Sequence, residues 1–535
     1  MRSNHCQPSI VASFRVWILA SWRLALGLCL SLGAGCSSSD SHPTATAPAA
    51  ARAAEPAAPQ DTPTTQHAAE ELWLACYVNG AKVGYIHTTI EPLETAGRQQ
   101  IRYSSDDQLT VRRFGNKTEV RTKLVSLETR EGQVLEFRSE IQMGPGVVVT
   151  EGRYHAGQLL IETTAEGKQQ ADRIAWNPDW GGFFADRQSL RRQPMKPREQ
   201  RRLQAPLPVI LQVGEIRLEA GGYEATKLLS ETRQLLRIDV TTVVGKTQLK
   251  SILWTDETGE AWKTCDLQLG LEAFLTTRDV ALGVNAESGF DLGEASLVRI
   301  DRPLDRPHRT RRVVYRARLK DGDIHALFAE GPTQSVRRID DRTAEITVQA
   351  IRPGQAESPA ADDRDHPTAA DTASSPMIQS DDPLVVQLAR EPSPDETDPW
   401  TLACALEAYV KQKIRLKNYS TAMATAAEVA KTLEGDCTEH AMLLAALCRA
   451  RKIPARVAVG LVYYAPEQAF AYHMWTEAWI GSRWIPLDAT LGLGGIGAAH
   501  LKLTSTNMSR ANAYGDLLPV AQVIRRLELE VVSSQ

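Results

Sequence analysis

The chain has 535 residues, 43% hydrophobic and 24% charged, a composition that excludes wholesale disorder and allows three to four domains. The formal net charge is −4, with both signs spread along the length, which argues against a dedicated nucleic-acid binder. Eight cysteines with no CxxC pair give neither a dense disulfide scaffold nor a zinc spacing, and GxxxxGK[ST] and HExxH are both missing, so no cofactor and no metal are expected.

Residues 1–36 read as an export signal. Arg2, Arg15 and Arg23 precede a short apolar run, 24–32, which leads into Gly33-Ala34-Gly35-Cys36. That ending resembles a bacterial lipoprotein box, although Gly33 stands where an aliphatic residue is usual. The resemblance implies lipidation of Cys36 and an exported, membrane-anchored protein of the cell envelope or periplasm. Residues 37–68 are Ser, Thr, Pro and Ala, too poor in large apolar side chains to fold, and read as a flexible tether with a reach of roughly 30 Å.

From 69 to 352 the apolar period is two. The run 72–78 meets Asn79-Gly80, a strong hairpin signal, because both turn positions need φ > 0. Further strands are expected at 100–113, 120–129, 133–143, 147–155 and 159–164, and a second run at 215–280, with more β-structure at 296–350. This predicts a large, mostly antiparallel sheet or half-barrel, in one or two lobes. The divide would be the loop 176–207, which carries Arg187, Arg191, Arg192, Lys196, Arg198, Arg201 and Arg202 and reads as a solvated basic loop. Residues 353–383, rich in Asp, Ala, Ser and Pro, read as an acidic disordered linker.

Beyond the linker, 384–535 reads as a separate α+β domain, making the whole chain multidomain α+β. Asp398-Pro399 opens one helical run, 420–433 is a second, and a third starts at Asp436; short strands follow at 455–464, 472–480 and 483–488. In Gly435-Asp436-Cys437-Thr438-Glu439-His440-Ala441, Asp436 and Glu439 fit a capping box, so Cys437 is the first helical residue. A thiol there meets unpaired backbone N–H groups and the positive end of the helix dipole, which favour the nucleophilic thiolate. If Gly481-Ser482 is a two-residue turn, Trp479 faces Trp484 and Trp475 faces Asp488, which puts His473 one diagonal step from Asp488 on the same face. A thiol, an imidazole and a carboxylate are thereby available for nucleophile, base and orienting group. His440 reads as structural, and Cys437, His440 and Cys448 match no usual metal spacing.

These blocks, with Ile453-Pro454-Ala455-Arg456 between them, resemble the bacterial transglutaminase-like superfamily over roughly 395–495. The resemblance implies a papain-like core with Cys437 as nucleophile, His473 as base and Asp488 as its orienting carboxylate, and it leaves Tyr419 as a candidate oxyanion helper. The expected activity is acyl transfer on amide or peptide bonds of a peptide or protein, with hydrolysis favoured. Transglutaminase-type cross-linking is the alternative, and a second is a non-catalytic envelope-binding protein with a vestigial domain. Gly492-Leu493-Gly494-Gly495-Ile496-Gly497 has the spacing of a dinucleotide fingerprint but follows a hairpin rather than opening a βαβ unit, so it reads as a loop. Cys76, Cys265, Cys404 and Cys448 have no pairing that the sequence assigns.

Overall fold

Asn79 and Gly80 both take positive φ, 50° and 78°, and close the hairpin between strands Glu70–Val78 and Ala81–Thr95. From there the chain runs as an antiparallel meander through Arg98–Arg113, Asn116–Thr129, Val134–Gln142, Val148–His155, Gln158–Ala165 and Lys168–Ala175. Burial alternates along these strands, as a sheet with one covered face requires. This computed structural model describes residues 65–66, 69–283, 291–351, 365–416, 421–510 and 513–535. The export signal, Cys36, nearly all of the tether, residues 352–364 and Tyr419 lie outside the described residues.

The loop that was expected to divide two lobes instead joins the two ends of one sheet. It contains a helix, Ala185–Arg192, and a strand, Gln200–Pro206, that starts a second meander. That meander ends at Leu271–Thr276, which pairs antiparallel with Glu70–Val78, so both runs form one 15-stranded sheet. The basic loop is also not simply solvated. Arg187 is buried against Glu70, Arg192 bonds the carbonyls of Arg130 and Glu131, and Arg201 holds Ser189 and Glu199. The strand QRRLQAP is polar at its exposed positions, which hid its period.

The later β-structure does not join this sheet. Arg312–Leu319 pairs with Thr343–Gln349 on one side and with the C-terminal strand Leu527–Ser534 on the other, so 312–349 packs with the C-terminal domain. Part of the expected linker packs there as well. Met377 and Ile378 are buried and Asp365 makes a two-armed bond to Arg456. Its scattered apolar residues find a surface that composition alone does not reveal.

The C-terminal domain centres on the helix Cys437–Ala450, in which every residue from Cys437 to Arg449 is buried. A helix covered on all sides is a core element. Helices Pro383–Arg390, Pro399–Lys413 and Ala426–Thr432 pack against it, with strands Ala455–Tyr464 and Ala469–Ile480 on its other side. The latter strand turns at Gly481-Ser482 into Arg483–Leu487, with Trp479 opposite Trp484. Among the described residues no helix is long and apolar enough to cross a membrane, and no disulfide joins Cys76, Cys265, Cys404, Cys437 or Cys448.

Candidate active site

Asp436 caps the central helix: its Oδ1 accepts from Thr438 N at 3.0 Å, and Glu439 Oε2 accepts from Asp436 N at 2.9 Å, which completes the capping box. Gly435 takes φ 136° and lies against Glu439, where a Cβ would sit 2.3 Å from Cγ, so only glycine fits this approach. Cys437 is thereby set at the first helical position with its sulfur turned to the strand Ala469–Ile480. The thiol hydrogen-bonds the His473 ring and takes the Met474 backbone N–H.

His473 Nε2 lies 2.7 Å from Asp488 Oδ2. Ionised carboxylate oxygens only accept, so Nε2 carries the proton and Nδ1 is the nitrogen left for the thiol. The hairpin thus brings His473 and Asp488 together, and the helix start brings Cys437. All three side chains are buried.

Four contributors were not found from the sequence. His500, on the strand His500–Thr506, donates Nε2–H to the same Asp488 Oδ2 at 3.1 Å. The His308 ring stands edge-on to that of His500, with centroids 6.1 Å apart, and the backbone of Pro307 and His308 lies against Gly497. Glu407, on Pro399–Lys413, accepts from Asp488 N at 2.8 Å and Gly494 N at 2.7 Å, which fixes the loop after Asp488. Arg113, at the end of a strand of the large sheet, bonds Asp436 Oδ2 at 2.7 Å. Only Glu407 carried a usable signal: it lies four residues after Ala403 and three before Val410, on the buried helix face.

The electrostatics follow from burial and neighbours. Burial and the Asp436 charge raise the Cys437 thiol pKa, while His473 and the Met474 N–H act against them. Burial alone would lower His473, but Asp488 and the Cys437 sulfur outweigh it and hold the imidazole well above its usual value. Burial likewise opposes Asp488, yet His473 and His500 hold its carboxyl well below the usual range. His500 is lowered, first by burial, so the two rings on one oxygen are shifted in opposite directions. Burial and His500 push His308 down to about 4, and burial raises Glu407 to about 7.

His440 Nδ1 lies 2.6 Å from the Asp436 carbonyl, inside the helix start. Trp475, Trp479 and Trp484 pack around the hairpin, and Glu477 lies between Lys502 and Arg456. The described residues that could hold a metal together are His473, Asp488 and His500, whose ligand atoms lie within 4.8 Å of one another. The two hydrogen bonds to Asp488 account for that packing without an ion. The glycine-rich run 492–497 is irregular chain beside the site, held by Glu407.

Residues 386–489 match the transglutaminase-like superfamily. A solved structure of a candidate cysteine protease from Cytophaga hutchinsonii is 18% identical over 43% of this chain and 84% of its own, with a TM-score of 0.27. A candidate protease from Parabacteroides distasonis is 10% identical over 64% of each chain, with a TM-score of 0.17. No curated protein matches the chain. The region that holds the cysteine, the histidine and the aspartate is a transglutaminase-like superfamily domain, C-terminal to a large antiparallel sheet.

Proposed function

We propose that this protein is an exported thiol acyl-transfer enzyme that cleaves amide bonds in a peptide or protein. The observation that carries the reading is one chain of contacts: a helix-start thiol bonded to an imidazole whose far nitrogen is 2.7 Å from a buried carboxylate. Cys437 sulfur attacks the amide carbonyl while its proton passes to His473; His473 then protonates the leaving amine, and the C–N bond breaks to give a thioester. Water, deprotonated by His473, releases the acid and restores the thiol. Asp488 keeps His473 in the tautomer this requires. An amine in place of water would give cross-linking, and the product distinguishes the two. Lipidation at Cys36 followed by the 37–68 tether would hold the enzyme within roughly 30 Å of a membrane surface.

One observation favours a competing reading, a binding protein with a silent site: Cys437 is buried in this structure. The test is iodoacetamide labelling of the full chain across pH, mapped to Cys437 by mass spectrometry, in wild type and His473→Ala. Burial slows every rate, so the pH midpoint is the diagnostic quantity. A midpoint below that of an ordinary thiol, lost in His473→Ala, supports the enzyme. A midpoint near 8.5 that ignores His473 supports the silent site.

A further inference from the structure

We infer that Arg113, carried by the large sheet, is a positioning residue for Cys437: it fixes and neutralises the carboxylate that caps the nucleophile helix. The inference rests on the thiol reading above.

Arg113 and Asp436 are 323 positions apart, and both side chains have no exposure. Arg113 Nη2 donates to Asp436 Oδ2 at 2.7 Å, and Nη1 donates to the Thr421 carbonyl at 2.7 Å. The end of the hairpin that carries it is clamped from outside. Phe114 N and Gly115 N donate to Asp291 at 2.9 and 2.7 Å, and the Phe114 ring meets Tyr464 edge-on at 6.3 Å. The guanidinium is therefore delivered from a fixed point.

A buried ion pair alone says little, because it is often only a packing solution. Here the pair belongs to a closed ring of bonds. Asp436 N donates to Glu439 Oε2, Glu439 Oε1 accepts from Ala424 N at 3.0 Å, and Ala422 N donates back at 2.7 Å to Met143 O, just past the sheet strand Val134–Gln142. The sheet thus holds both the helix cap and the segment 421–424 beside it.

The charges around the thiol give the ring its consequence. Asp436, Glu439 and His440 face it from its own helix, His473 from the strand, with Asp488 and His500 behind, and Glu428 on the neighbouring helix is bonded to Thr425 N. Asp436 disfavours the thiolate, and burial and Asp436 raise the Glu439 carboxyl well above its ordinary value. Arg113 is the cation that offsets Asp436 from the sheet side. Without it the cap charge acts on the sulfur uncompensated.

The experiment is the labelling of the full chain described above, in Arg113→Met, Arg113→Gln, Arg113→Lys and the double variant Arg113→Met with Asp436→Asn. The Met and Gln variants should move the Cys437 midpoint up by about one pH unit, about tenfold slower labelling near neutrality. Lys should keep it near wild type, and the neutral double variant should bring it back. A purely structural Arg113 would lower stability in all three single variants without sorting the midpoints by charge. If the Met variant does not fold, the Gln variant carries the test, since it keeps a donor without the charge. A wild-type midpoint that responds to His473→Ala but not to Arg113→Met or Arg113→Gln overturns this inference alone; one that ignores His473 overturns the enzyme reading as well.

Discussion

Arg138 of the large sheet and Arg456 of the C-terminal domain each serve two carboxylates, under opposite solvation. Arg138 reaches Glu140 and Glu151 on the sheet surface, with 46% of its side chain exposed. Arg456 holds Asp365 at 2.7 and 2.8 Å and Glu477 at 2.8 Å, with 11% exposed, and Lys502 adds a second cation to Glu477 at 2.7 Å. In water such pairs are screened and yield little. In the interior Arg456, Glu477 and Lys502 have lost their hydration, and each one's partner is what makes its burial tolerable, while Asp365 keeps part of its own. On the sheet surface such charges serve solubility, whereas this cluster in the domain fixes strands. Glu477 shares its strand with His473, so the buried cluster also sets the frame of the candidate site.

The largest expected effect tests the buried side of that contrast. Glu477→Ala leaves Lys502 as a buried cation without its carboxylate and Arg456 with Asp365 alone, and should cost about 3–5 kcal/mol. The measurement is the urea midpoint followed through Trp475, Trp479 and Trp484. The same cluster gives an acid limb. Burial opposes ionisation of Glu477, but Lys502 and Arg456 outweigh it and hold the carboxyl below its ordinary value. An acid whose folded pKa is depressed stabilises above its unfolded pKa and loses that contribution as pH falls through the folded one. Wild type should therefore lose more stability than Glu477→Ala on acidification below about pH 4.5. Equal losses would mean that the cluster is not carrying the charge.

How far each region was legible follows from the same contrast. The meander strands announced themselves because one face is wet, which writes period two into the sequence, and Asn79-Gly80 marked the first turn. Lys168–Ala175 and Gln200–Pro206 failed because they are the two ends of the sheet order, where polar residues dominate both faces. In the domain, a two-residue turn set His473 beside Asp488 and a capping box set Cys437 at its helix start, both local rules; that the cysteine meets the histidine was implied by the family resemblance alone. His308 and Arg113 reach the site over long separations, and His500 through a strand that no short turn ties to Asp488; each is an ordinary-looking polar residue in its own segment. No period or spacing encodes such a contact. The linker reading failed for 365–383 for a related reason, since Asp365 counts as disorder-promoting until Arg456 is placed beside it.

Glu407 sharpens the contrast at intermediate size, because it is a buried carboxylate bonded to amides rather than to a cation. Burial raises it to about 7 from an ordinary 4.5. The folded state then binds the proton more tightly than the unfolded one, so its stability is full below the unfolded pKa and falls as pH rises from about 4.5 to 7. The shift corresponds to at most about 3.5 kcal/mol. Glu407→Gln removes that slope while leaving one acceptor for Asp488 N or Gly494 N, at a constant cost of about 1–3 kcal/mol for the other. The stability difference between variant and wild type should therefore narrow as pH rises across that window. A constant difference would show that Glu407 stays ionised throughout, with its two amide donors outweighing burial.

The smallest expected effect is the most direct way to break the comparison. Arg138→Ala removes the bonds to Glu140 and Glu151 at once, yet Glu151 is well exposed and Glu140 partly so, and both return to water. The expected change is within about 0.5 kcal/mol, and it should shrink further in high salt as screening removes what Coulomb energy there was. A loss of several kcal/mol would mean that the sheet surface behaves like an interior, its neighbouring side chains shielding the pairs from solvent. The distinction between the two regions would then lie in sequence period alone, and the buried ring at Arg113 and Asp436 would no longer be set apart from the pairs on the sheet that delivers it.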